Sequence, residues 1–124
     1  MPIVKVLAEL AVADLEKALG WYERLFGRPA DALPMEGLAE WHSPEGDLQV
    51  FADTDRAGRG LLTLEVDDIR NHVAEAAERG VPVEPIDDAS SETVLFVTLT
   101  DPDGNQVTLV EQRSAQAEVN PGDR

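Results

Sequence analysis

A short apolar run that ends on an aspartate and gives way to an amphipathic helix occurs twice in this chain, and that repeat limits the fold more than any other feature. The first copy is Ala11–Gly27, AVADLEKALGWYERLFG, and the second is Leu61–Gly80, LLTLEVDDIRNHVAEAAERG. Asp14 and Asp68 suit the N-cap position, because a carboxylate there accepts the orphan backbone N–H groups of the first turn. In the first copy Leu15, Ala18, Leu19, Tyr22, Leu25 and Phe26 recur at helical spacing and make one apolar face. Gly27 closes that helix where a left-handed residue is favoured and Pro29 prevents its resumption. Gly80 ends the second. Leu7–Leu15 aligns with Leu61–Ile69 without a gap, and Gly27-Arg28-Pro29 answers Gly80-Val81-Pro82. A unit of about 50 residues buries too little surface to stand alone. The two are therefore expected to join into one pseudo-symmetric sheet with helices on one face. The other face, if curved, makes a cavity.

The 124 residues, 43% hydrophobic, suffice for one domain, taken as residues 1–113 in two modules of about 1–56 and 57–113. The polar tail 114–124 is expected to be flexible. No apolar run approaches the roughly 20 residues that cross a bilayer, and MPIVKVLAEL lacks the pattern of a signal peptide. With no cysteine, the chain has no disulfide, thiolate metal site or cysteine nucleophile. The cytoplasm is the expected location. The net charge of −15 is spread over both halves, −6 in residues 1–56 and −9 in 57–124, and reads mainly as a solvated surface. It disfavours nucleic acid, which needs clustered Lys and Arg, and steers cationic ligands inward.

In chain order, Pro2–Val12 reads as a strand with Val4, Val6, Ala8 and Leu10 on one face and Lys5, Leu7, Glu9 and Ala11 on the other. After the first helix, Arg28–Gly37 reads as a loop. Leu38–His42 and Leu48–Ala52 read as a hairpin about Ser43-Pro44-Glu45-Gly46-Asp47. Asp53–Gly60 is a linker, Leu61–Val66 a strand and Asp68–Arg79 the second helix. Val81–Glu92 is mostly loop, with a short edge strand at Val83. Thr93–Thr100 and Gln106–Glu111 form the last hairpin about Asp101-Pro102-Asp103-Gly104-Asn105.

The strand, VADLEKALGWYERLFG, the second repeat with VDDI, and DPDGNQVTLVE near the end resemble the vicinal oxygen chelate superfamily over about Ile3–Gln112. Glyoxalase I, the extradiol dioxygenases, fosfomycin-resistance enzymes and bleomycin-resistance proteins belong to that group. The resemblance implies an α+β fold of two tandem βαβββ modules, forming a half-open curved mixed sheet with helices on the convex face. It also implies a homodimer. Metal-dependent relatives hold a divalent cation at four positions, the first two lying seven residues before each cap. Here the four are Leu7, Leu61, Gln49 and Thr108. Leucine offers no lone pair, and an amide or hydroxyl alone is a weak ligand for zinc, nickel or iron. No metal and no cofactor are expected, and metal-dependent glyoxalase or dioxygenase chemistry is disfavoured.

The chain has two histidines. His72 reads as a helix histidine at the edge of an apolar stripe, while His42, beside Trp41, is placed either at the pocket or at a surface strand end. G-x-S-x-G and P-loop motifs are absent. Glu9 alternates with Leu7, so it points at the pocket floor, where burial would suit it to general-base work. Glu9 and His42 are thus the acid–base candidates, against the plainer reading of a hydrated or ion-paired Glu9. Trp21 and Tyr22 read as core, with the tyrosine hydroxyl at a rim. Phe51 shares a face with Gln49 and is the best aromatic lining candidate. The expected ligand-binding set is Leu7, Glu9, Trp41, His42, Gln49, Phe51, Leu61, Thr63, Phe96 and Thr108, with the faces of Trp41 and Phe96 left open. The first functional expectation is a metal-free protein resembling the bleomycin-resistance branch that binds a small molecule, such as a cationic drug or metabolite. The alternatives are a metal-independent lyase or isomerase using a pocket Glu or His, and an interaction module with a vestigial pocket.

Overall fold

The computed structural model describes residues 2–113. The elements run β1 (Leu7–Val12), α1 (Leu15–Phe26), β2 (Ala32–Met35), β3 (Leu38–Trp41), β4 (Asp47–Ala52), β5 (Leu61–Glu65), α2 (Ile69–Glu78), β6 (Val94–Thr100) and β7 (Gln106–Gln112). Both caps form as their residues dictate. Asp14 accepts from the Lys17 amide at 3.3 Å and Asp68 from the Asn71 amide at 3.1 Å. Gly27, at φ 75°, returns its N–H to the Glu23 carbonyl and ends α1 in the left-handed region that a Cβ would disfavour.

One sheet has the order β1-β4-β3-β2 and the other β5-β7-β6. β1 runs parallel to β4 and β5 parallel to β7, while the remaining pairs are antiparallel. Each sheet turns alternate residues inward. From the first come Leu10, Val12, Ala39, Trp41, Leu48 and Val50; from the second come Leu95, Val97, Leu99, Val107 and Leu109. They meet Ala18, Trp21, Tyr22 and Leu25 of α1 and Ile69, Val73 and Ala76 of α2 in one continuous core. Full burial of each large apolar side chain stabilises the fold by about 1.5–3 kcal/mol.

The two modules are tied by the turn after β6. Asp101 is buried, and its Oδ1 accepts the backbone N–H groups of Asp103, Gly104 and Asn105 at 2.9, 3.0 and 2.9 Å. Its Oδ2 accepts from the Tyr22 hydroxyl at 2.8 Å and from Asn105 Nδ2 at 2.9 Å. Asn105 also donates to the Ala11 carbonyl at 2.8 Å and accepts from the Gly60 amide at 2.7 Å. The Tyr22 hydroxyl therefore sits in the core rather than at a rim. Burial, and then the neighbouring Asp101 carboxylate, push its pKa far above the usual value.

Four expectations need correction. The ladder of β1 begins at Leu7, because its partner β4 begins at Asp47, and Pro2–Val6 lies outside it. Within the expected loop, Ala32–Met35 forms the edge strand β2. Pro34 is tolerated there because an edge leaves one side of the strand unpaired. No strand forms at Val83, between Pro82 and Pro85; the second module keeps only an isolated bridge, Asp87 with Phe96, in place of its first hairpin strand. The two modules also form two sheets rather than one shared sheet, since β1 and β5 touch without sharing a ladder; the expected glyoxalase-like, half-open architecture stands, with no closed barrel. The tail 114–124 lies outside the described residues.

Candidate functional site

The ladder register decides which side chains share a surface. In the first sheet Glu9 pairs with Gln49 and Ala11 with Phe51 across the parallel ladder. Glu40 pairs with Gln49 and Leu38 with Phe51 across the antiparallel one. The face turned away from α1 therefore carries Leu7, Glu9, Leu38, Glu40, Gln49 and Phe51. In the second sheet Thr63 lies opposite Thr108, and Phe96 and Thr98 oppose Val110 and Thr108. Leu61, Thr63, Phe96 and Thr108 thus share the corresponding face away from α2. Leu7 is 43% and Leu61 80% exposed, so neither face is covered by this chain.

Eight of the ten expected lining residues fall into these two groups, four to a sheet. Trp41 does not. It pairs with Leu48 on the helix side, is 4% exposed, and donates its indole N–H to the Arg28 carbonyl at 3.1 Å. Its ring packs against Tyr22 and Phe26 with centroids 6.0 and 5.5 Å away. A two-residue period puts Trp41 and Glu40 on opposite faces, and the core takes the larger apolar group. Glu9 lies exposed, so the burial that a general base calls for is not supplied by this chain.

His42, just past β3, is held at both backbone and side chain. Its amide donates to Asp31 Oδ2 at 2.6 Å, and its carbonyl accepts from Arg28 Nη2 at 2.9 Å. Its Nε2 lies 2.9 Å from Glu40 Oε1, and Glu40 Oε2 accepts from Gln49 Nε2 at 2.6 Å. The hydrogen bonds from His42, and then from Gln49, hold the Glu40 carboxyl below the usual carboxylate range. Asp31 is lowered in the same way, first by the His42 amide and then by Arg28, whose Nη1 donates to it at 2.6 Å. Glu40, Asp31, Arg28 and Leu38 were not singled out from sequence. The hairpin held a signal for two of them, since a turn that pairs Phe51 with Leu38 places Glu40 beside Gln49. His72 is exposed on α2, with Nε2 3.1 Å from Asp67.

The residues present do not fit the cation that the resemblance implies. Leu7 and Leu61 present hydrocarbon, the Gln49 amide is engaged by Glu40, and the Thr108 hydroxyl bonds Thr98 Oγ1 at 2.8 Å. The first two and last two of Leu7, Gln49, Leu61 and Thr108 also belong to different sheets. Among the described residues no group of three or more His, Cys, Asp or Glu side chains is placed to hold a metal ion.

This two-module arrangement has counterparts. Residues 4–109 match the family model described as Glyoxalase/Bleomycin resistance protein/Dioxygenase superfamily. The chain belongs to this superfamily. Among solved superfamily structures, a glyoxalase / bleomycin resistance protein from Catenulispora acidiphila is 31% identical, with a TM-score of 0.81 over 88% of this chain and 98% of that one. TnmS3, described as an antibiotic binding protein from Streptomyces sp. CB03234, is 26% identical, with a TM-score of 0.74 over 90% of this chain and 98% of its own. A lactoylglutathione lyase from Agrobacterium tumefaciens shares the fold at 22% identity, with a TM-score of 0.70 over 89% of this chain and 94% of its own. No curated protein matches the chain.

Proposed function

We propose that this superfamily member binds a small molecule without a metal, on the faces that its sheets turn away from the helices. The observation that carries the reading is the chemistry of Leu7, Gln49, Leu61 and Thr108. These positions present methyl groups, an amide and a hydroxyl beside Phe51, Phe96 and Thr63. Apolar walls with a few polar points, joined on the first face by the Glu9 and Glu40 carboxylates, are the makeup of a small-molecule site. The net charge of −15 favours a cationic drug or metabolite, and the description of TnmS3 as antibiotic-binding supports the same class. The exposure of Leu7 and Leu61 supports a homodimer in which a second chain covers these faces. The cytoplasm is the compartment this reading assigns; no helix among the described residues is long and apolar enough to cross a membrane.

Elemental analysis of the purified protein, followed by a thermal-shift screen with cationic glycopeptides and small organic acids, tests the proposal. The expected result is a substoichiometric metal content and a ligand-dependent rise in melting temperature. Stoichiometric zinc or nickel lost on mutating the open faces would overturn it.

The pairing of His42 with Glu40 favours one second reading, a metal-independent lyase or isomerase. Glu40 fixes one imidazole nitrogen and leaves the other for proton transfer, with Glu9 as the second acid–base group. Loss of turnover with binding retained in His42→Ala or Glu9→Gln would select the enzyme.

A further inference from the structure

The edge strands β1 and β5 meet at one end and part at the other. At the meeting end Asn105 joins the Ala11 carbonyl to the Gly60 amide, and Leu10 packs so closely on Gly60 that a Cβ there would lie 2.4 Å from its Cδ2. At the other end the start of β1 and the β3–β4 turn stand away from β5, leaving a cleft of about 830 Å³. Its floor is apolar, with Ala8, Trp41 and Leu48 facing Leu62, Leu64 and Val66, and Phe26 closing one end. Its mouth is acidic. Glu45 and Asp47 stand on one side, Glu65 and Asp67 on the other. Three cations stand at the mouth: Arg28 is committed to Asp31 and to the His42 carbonyl, Lys5 pairs with Asp47 Oδ1 at 3.1 Å, and His42 is charged only when protonated.

The geometry points to this cleft as a second ligand site, distinct from the open faces, for an amphiphilic cation whose apolar body lies between Trp41 and Leu64 and whose charge rests among the mouth carboxylates. The volume is that of a small-molecule pocket. An apolar floor alone would accept any hydrophobe, whereas Glu45, Glu65 and Asp67, none of them paired with a lysine or arginine among the described residues, favour a positive one and repel a negative one. The cleft also gathers Trp41 and His42, the two expected lining residues that the open faces do not carry.

Two probes of nearly the same shape and opposite charge test this, tetraphenylphosphonium and tetraphenylborate, titrated into the full-length protein with tryptophan fluorescence as the readout. The phosphonium should bind at least tenfold more tightly than the borate, an advantage that shrinks with added salt. Glu45→Lys with Asp67→Lys, both on exposed positions, should lower phosphonium affinity about tenfold, the order that two nearby surface charges supply. Ala8→Phe, which fills the floor, should abolish binding of the phosphonium. Equal affinity for the two ions would overturn the proposal. So would phosphonium binding that ignores the lysine substitutions and disappears in Phe51→Glu, a result that would leave the open-face reading standing.

Discussion

At the scale of single residues, Asp101 carries more than its place in a hairpin turn suggests. Five donors converge on its two oxygens, one of them a phenol from the other module. A hydrogen bond to a carboxylate contributes about 1.5–3 kcal/mol, so Tyr22→Phe should lower unfolding free energy by that much in urea titrations. Asp101→Ala should cost more, because it strands several donors at once. Tyr22 is the chain's only tyrosine, which makes a pH test clean. Its pKa is raised in the folded state above the ordinary value of 10.0. The unfolded chain releases this proton above about pH 10 while the folded chain keeps it, so stability is intact below that pH and falls as pH rises beyond it. Tyr22→Phe should flatten the alkaline limb. Gly58 makes a second prediction at this scale. At φ 86°, a Cβ would lie 2.2 Å from the Asp103 carbonyl oxygen, so Gly58→Ala should destabilise by roughly 1–3 kcal/mol in the same assay.

Among elements, the β3–β4 hairpin decides the chemistry of the first open face. Its alternation sends Ala39, Trp41, Leu48 and Val50 to the core and Leu38, Glu40, Gln49 and Phe51 outward. The His42–Glu40–Gln49 chain lowers the Glu40 pKa, and a depressed carboxylate contributes stability that is present above its unfolded value and lost as pH falls through its folded value. Urea midpoints should therefore fall as the pH drops below about 4.5, the ordinary glutamate value. Glu40→Gln should make that acid limb shallower. The periods of α1, α2 and the central strands were legible because each has one buried face. β2 was not, since its exposed Leu33 and Met35 carry no inward pattern and Pro34 argues locally against a strand. Val83 misled in the other direction, because its apolar character lies between prolines that remove the donors a ladder needs.

Over the whole molecule, one core holds two sheets that share no ladder, and both outer faces stay open. If those faces meet a second chain, as proposed, sedimentation should show a two-chain species. Leu61→Arg, at a position 80% exposed in the single chain, should shift it to monomer while leaving the monomer folded. A two-chain mass retained by this variant would remove Leu61 from the interface. Spacing from the two caps locates Leu7 and Leu61, and the ladders then set Leu7 with Gln49 on one sheet and Leu61 with Thr108 on the other.

The repeat, the two capped helices and both hairpins were determined by sequence alone, because caps, turns and periodicity act over a few residues. Tertiary structure decided what depends on residues far apart in the chain. It buried Trp41, drew Tyr22 onto Asp101 and Asn105 onto Ala11 and Gly60, left Glu9 in solvent and opened a cleft between β1 and β5. Alternation along a strand fixes which residues share a face, but only packing decides which face is covered.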